Sequence, residues 1–163
     1  MKIPQNVGVD FYQSLISEDE LGVVIRAHIY VESSINDFIE NSVPSPEKLP
    51  RLTYEAKLRL ACALGMDEDH FQALKLLGDI RNQFGHNLSA HLSDQKVNEL
   101  FSKLPESAQT AVMASYAKTR DDHPGAPDFQ KLSPKDRFVF LSVGLKMFAV
   151  NTAAVAYFRR HDA

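Results

Sequence analysis

The chain has 163 residues, of which 44% are apolar and 24% charged, and its net charge at neutral pH is −3. That length supports one domain with a core of its own, and the acidic balance excludes a protein that coats nucleic acid over its whole surface, although a local site needs only a few cations. The single cysteine, Cys62, excludes an internal disulfide framework and a multi-cysteine zinc site.

Cys62 sits in the apolar run Leu60-Ala61-Cys62-Ala63-Leu64 and reads as a buried structural thiol in a reducing compartment. No apolar run reaches the roughly 18 residues that span a bilayer. The opening Met1-Lys2-Ile3-Pro4-Gln5 has no apolar stretch or cleavage signature. A cytoplasmic location without membrane contact is expected. The basic groups at Arg159-Arg160-His161 and from Lys131 to Arg137 read as solvated helix ends.

In chain order, residues 1–16 are expected to be irregular. Ser17-Glu18-Asp19-Glu20 matches a capping box, so the first helix is expected from Ser17 to about Asn41. Ile25, Ile29, Ile35, Phe38 and Ile39 make its apolar stripe. Pro44, Pro46 and Pro50 then stiffen an extended connection. A second helix follows from Thr53, as N-cap, to Leu64, stopped by Gly65. A third begins at Asp67, carries Phe71, Leu74, Leu77, Ile80 and Phe84 on one face, and ends between His86 and Leu88.

Ser93–Lys103 and Glu106–Lys118 read as two shorter helices split by Pro105, and Thr119–Pro127 as an irregular loop. The last helix runs from Ser133 and Pro134 to about Arg160. It has one apolar face with Phe138, Leu141, Leu145, Phe148 and Val155, and a second with Phe140, Met147, Val150, Ala154 and Phe158. Two such faces place it at the centre of the fold or at a dimer interface. No period-2 strand pattern stands out. The expected fold is all-α: a single-domain helical bundle of about five to six helices with a long C-terminal helix.

The residues that can carry chemistry lie in Arg81-Asn82-Gln83-Phe84-Gly85-His86. A permanent cation, an amide and an imidazole stand within two helical turns. Such a set can hold a phosphodiester and move protons around it. Asn82 and His86, four apart, share a helix face, whereas Arg81 and His86, five apart, are separated by about 140°. Acting together therefore requires a loosened helix, for which Gly85 is suited, or a second copy of the chain. The same residues also admit a structural reading: His86 at a helix C-terminus, Asn82 bonded to a loop, and Arg81 paired with Glu32. His28 and Glu32 share a face at four-residue spacing and read as a partly buried pair that supports Arg81 or His86, with a metal ligand pair or an acid–base pair as the alternative. His86 and His91, without clustered acids, do not make a metal site. No metal and no cofactor are expected, and no helix-turn-helix pair or Gly-rich phosphate loop is recognisable.

The pattern Arg81-Asn82-x-x-x-His86 at a helix end resembles the defining motif of the HEPN superfamily (higher eukaryotes and prokaryotes nucleotide-binding). A longer stretch resembles its mannitol-operon-repressor-like group. That stretch runs from Arg26-Ala27-His28-Ile29-Tyr30-Val31-Glu32 through Lys57–Gly65 to Ile80–His86, about the first 90 residues. Many relatives carry Ala where Gly85 stands. The resemblance implies an all-α homodimer. It also implies a metal-independent endoribonuclease in which Arg81 and His86 of two protomers face each other across the dimer cleft, Asn82 positions them, and RNA is cut to a cyclic phosphate. The alternative it implies is a non-catalytic transcriptional regulator or adaptor acting through a protein partner.

Overall fold

A computed structural model describes residues 7–161 and contains seven α-helices and no strand among them. They are α1 (Val7–Ile16), α2 (Glu20–Ser42), α3 (Tyr54–Ala63), α4 (Phe71–His86), α5 (Asp94–Lys103), α6 (Glu106–Asp122) and α7 (Pro134–His161). The all-α expectation is met, with one helix more than the upper count. The extra helix is α1, which lies where an irregular segment was expected. Its Phe11 and Leu15, one turn apart, are buried in the common core. Residues 1–6 of that expected segment lie outside the described residues.

The core is organised on α2 and α7. Val23, Val24, Ala27, Val31, Ile35 and Phe38 bury one face of α2. Leu141, Leu145, Ala149, Ala153 and Ala156 answer them from α7, and the alanines let the two backbones approach. Each large apolar side chain so buried contributes about 1.5–3 kcal/mol of transfer free energy. The two helices run the same way. Near the start of α7, Lys135 donates to the carbonyl of Glu18 at 2.8 Å. Near its end, Arg160 donates to the carbonyls of Glu40 and Val43. Parallel neighbours need a long return path, and α3 to α6 supply it while covering the sides of the pair.

Local signals set most boundaries, with small shifts. Asp19, not Ser17, caps α2 by accepting from the Gly22 N–H at 2.7 Å. The stripe shifts with it, and Ile29 is 57% exposed instead of buried. Thr53 caps α3 as expected. Gly65, with φ of +101°, ends it: its N–H bonds to Cys62 O and that of buried Met66 to Ala61 O, both at 2.9 Å. That pairing satisfies the last carbonyls of the helix. The helix expected from Asp67 opens with a 3-10 turn, Glu68–His70, before α4. The loop expected over 119–127 is shorter, because α6 continues to Asp122. Tyr116 donates to Pro127 O and Arg120 pairs with Asp128 at 3.0 Å, tying that loop down.

α7 also corrects the membrane argument: it is long and apolar enough to cross a bilayer by length and composition. Here its buried apolar residues face α1, α2, α5 and α6, while Val155 and Phe158 stay half-exposed. One polar residue in its buried face is Arg137, 2% exposed, which donates to Asp94 and Asn98 of α5 and to Gln130 before α7. We expect Arg137→Ala to lower unfolding free energy by about 2–4 kcal/mol, through a cavity and three lost charge-assisted bonds. Arg137→Lys should recover only part, since one ammonium cannot span the fork. Urea midpoints at constant slope measure both.

Candidate functional site

An open cleft of about 430 Å³ lies between α2, α3 and α4. Its floor depends on Gly78. A Cβ at that position would stand 2.6 Å from the Tyr54 ring, so only glycine lets the ring lie flat against α4. Tyr54 donates to the Leu74 carbonyl at 3.1 Å and packs on His28 with ring centroids 4.3 Å apart. Burial, followed by the Glu32 charge, pushes the Tyr54 hydroxyl far above its ordinary range, so it stays protonated.

His28 and Glu32 come together as their spacing suggested. His28 is buried, and its Nδ1 lies 3.6 Å from the Glu32 carboxylate, too far for a hydrogen bond, with no other partner among the described residues. Burial is the main cause that lowers the His28 pKa; Glu32 opposes it, and Arg81 and Lys57 add to it. Glu32 itself accepts from Lys57 Nζ at 2.7 Å. The alternative pairing of Arg81 with Glu32 is therefore not made: the α3 lysine occupies that carboxylate.

Arg81 stands exposed at the mouth of this cleft, and Asn82 Oδ1 accepts from its guanidinium at 3.0 Å. Among the described residues no carboxylate lies within 4.0 Å of Arg81, although Lys75, the other lining cation, is 3.3 Å from Asp79. Four of the five expected residues, Arg81, Asn82, His28 and Glu32, thus gather at one cleft. The fifth, His86, does not. It is the exposed last residue of α4 and lies outside the cleft lining. α4 stays helical through Gly85, whose φ is not positive, so the loosening considered at Gly85 does not occur. Asn82 orients Arg81, not the imidazole.

Tyr54, Gly78 and Lys57 belong to the site and were not singled out from the sequence. Gly78 carried a signal, since a glycine in a helix interior weakens it and often marks a close approach. Cys62 is half-buried, with its thiol pKa pushed up by burial and then by Glu68 and Asp67. Among the described residues no three His, Cys, Asp or Glu side chains converge as metal ligands would. Comparison of the chain with protein-family models, with curated proteins and with solved structures gives no match.

Two buried histidines give the fold a pH dependence. His70, stacked on Phe148 at 3.5 Å, also has its pKa lowered, again chiefly by burial. The unfolded chain takes up protons near 6.5, whereas the folded chain does so only at lower pH. Stability is therefore full above about pH 6.5 and lost as pH falls toward the folded-state values. We expect unfolding midpoints to drop between pH 7 and pH 5, and His28→Gln with His70→Gln to flatten that drop.

Proposed function

We propose that this chain is a HEPN-like homodimeric domain that cleaves RNA without a metal. The observation that carries the reading is Arg81: an exposed guanidinium at a cleft mouth, held by Asn82 and free of any carboxylate among the described residues. A guanidinium so placed suits a phosphodiester, whose two oxygens match its fork. His86 supplies the group that moves protons. Because α4 is regular, the imidazole that serves one Arg81 comes from a second copy of the chain.

In this mechanism the ribose 2′-hydroxyl attacks the adjacent phosphorus and gives its proton to the neutral His86 imidazole. Arg81 stabilises the charge that builds on the phosphoryl oxygens. The bond from phosphorus to the 5′-oxygen then breaks, and that oxygen takes the proton back from the imidazolium. The products are a 2′,3′-cyclic phosphate and a 5′-hydroxyl. The lone thiol fits a reducing setting, and a cytoplasmic location is part of the proposal.

A second reading has its own observation. Ile29 and Leu88 are 57% and 102% exposed, which suits a regulator of the mannitol-operon-repressor-like kind acting through a protein partner. RNA cleavage by purified protein in EDTA separates the two. We expect Arg81→Ala and His86→Ala each to lose about 10²–10³-fold in rate, with circular dichroism unchanged. Equal activity in wild type and both variants overturns the ribonuclease. A partner complex that survives His86→Ala but not Leu88→Asp supports the regulator.

A further inference from the structure

Charges around the Arg81 cleft cancel in pairs except at its mouth. Lys75 lies 3.3 Å from Asp79, Arg59 2.7 Å from Glu55, and Lys57 2.7 Å from Glu32. Arg81 is the lining cation that meets no carboxylate among the described residues. One phosphodiester, a monoanion, balances it. A polyphosphate or a terminal phosphate monoester would bring further negative charge among the lining carboxylates of Glu32, Glu55 and Asp79. The cleft therefore suits an internal link of a nucleic-acid strand better than a strand end or a free nucleotide.

Deeper in, the Glu32 carboxylate is only half used. Its Oε1 accepts from Lys57 Nζ, and its Oε2 receives no hydrogen bond among the described residues. His28 does not supply one: its Nδ1 stays 3.6 Å away, and burial holds the ring toward its neutral form. Other polar groups of the lining are engaged. The Tyr54 hydroxyl donates to the Leu74 carbonyl, Asn82 Oδ1 accepts from Arg81, and Thr53 Oγ1 accepts from the Ala56 N–H. Glu55 and Asp79, with side chains 44% and 57% exposed, remain hydrated at the rim. The Glu32 side chain is 26% exposed, so a ligand can reach it where water competes less.

A carboxylate held on one oxygen by a lysine can still accept two parallel N–H bonds. Guanine is the RNA base whose Watson–Crick edge carries two adjacent donors, N1–H and the N2 amino group. Adenine and cytosine each set one amino donor beside a ring acceptor, and uracil sets its N–H between two carbonyls. Each of those three turns an acceptor toward the carboxylate. We propose, building on the ribonuclease reading of this cleft, that Glu32 selects a guanine beside the phosphodiester held by Arg81. N1–H donates to one carboxylate oxygen and N2–H to the other. The Glu32–Lys57 pair is neutral as a unit, as guanine is, so the single negative charge of the nucleotide is left to Arg81. The edge must be unpaired, so the substrate is single-stranded. A cleft of about 430 Å³ lies within the range of roughly 300–1,000 Å³ typical of small-ligand sites.

Three RNA strands test this without altering the protein. One is an oligoadenosine with a single central guanosine, one carries inosine there, and one is adenosine throughout. Inosine keeps N1–H and lacks the amino group. In EDTA, cutting at a bond beside guanosine should exceed cutting between adenosines by about 10–100-fold. Inosine should lose about tenfold of that preference. The same sequences built with 2′-deoxyribose cannot be cut, and their affinities by fluorescence anisotropy should rank guanine, inosine, adenine. Glu32→Gln should erase the ranking, whereas Arg81→Ala should weaken all three strands alike. RNA cutting with no preference for guanosine overturns the guanine site and leaves the nuclease standing. Guanine-ranked binding of the deoxy strands, with no RNA cut, overturns the nuclease and leaves the site standing. Equal affinity for the three deoxy strands overturns the proposal whether or not RNA is cut.

Discussion

The parallel packing of α2 on α7 is the constraint from which the rest follows. It uses the longest apolar faces in the chain, and small residues at 149, 153 and 156 bring the backbones close. Both ends are held by cations that reach backbone carbonyls, Lys135 at one and Arg160 at the other. A parallel pair leaves its flanks open, and the connecting helices close them. α3 and α4 cover one side of α2, and the cleft forms where all three meet. Disturbing the pair would unseat the cleft without touching any residue in it.

Within that frame the cleft owes its shape to the absence of one side chain. Gly78 admits Tyr54 against α4, and Tyr54 in turn packs on His28. His28 and Glu32 then sit at the base, with Glu32 neutralised by Lys57. That ion pair is what leaves Arg81 available. If Lys57 were lost, the carboxylate would compete for the guanidinium, and the cleft would lose the cation that, among the described residues, is free of a carboxylate. The electrostatic arrangement is thus a lysine that closes an internal pair with Glu32 and an arginine that, among the described residues, meets no carboxylate.

Much of the helical framework was legible in the sequence because caps and stops act locally. Thr53, Gly65, Pro105 and Ser133 each mark a boundary within a residue or so. α1 was not legible, since its burial of Phe11 and Leu15 rests on α7, more than a hundred residues away. The stripe on α2 was misplaced for a related reason: isoleucine at 29 fits the helical period but sits on the exposed side. Arg81, Asn82, His28 and Glu32 were found by residue type and spacing. The partner of Glu32 was not, because Lys57 is 25 positions away on another helix. The five-residue offset of Arg81 from His86 was legible from helical geometry alone, and the straight course of α4 through Gly85 removes a local bend as the way to reconcile them.

The central claim is that one catalytic site draws Arg81 and His86 from different copies, and mixing two inactive variants tests it most directly. Arg81→Ala and His86→Ala chains, unfolded and refolded together in equal amounts, form mixed pairs in half of the dimers, each with one intact site. RNA cleavage in EDTA should then return to about a quarter of the wild-type rate, while each variant refolded alone stays inactive. A mixture no more active than either variant alone, with mixed pairs shown to have formed, would contradict the account.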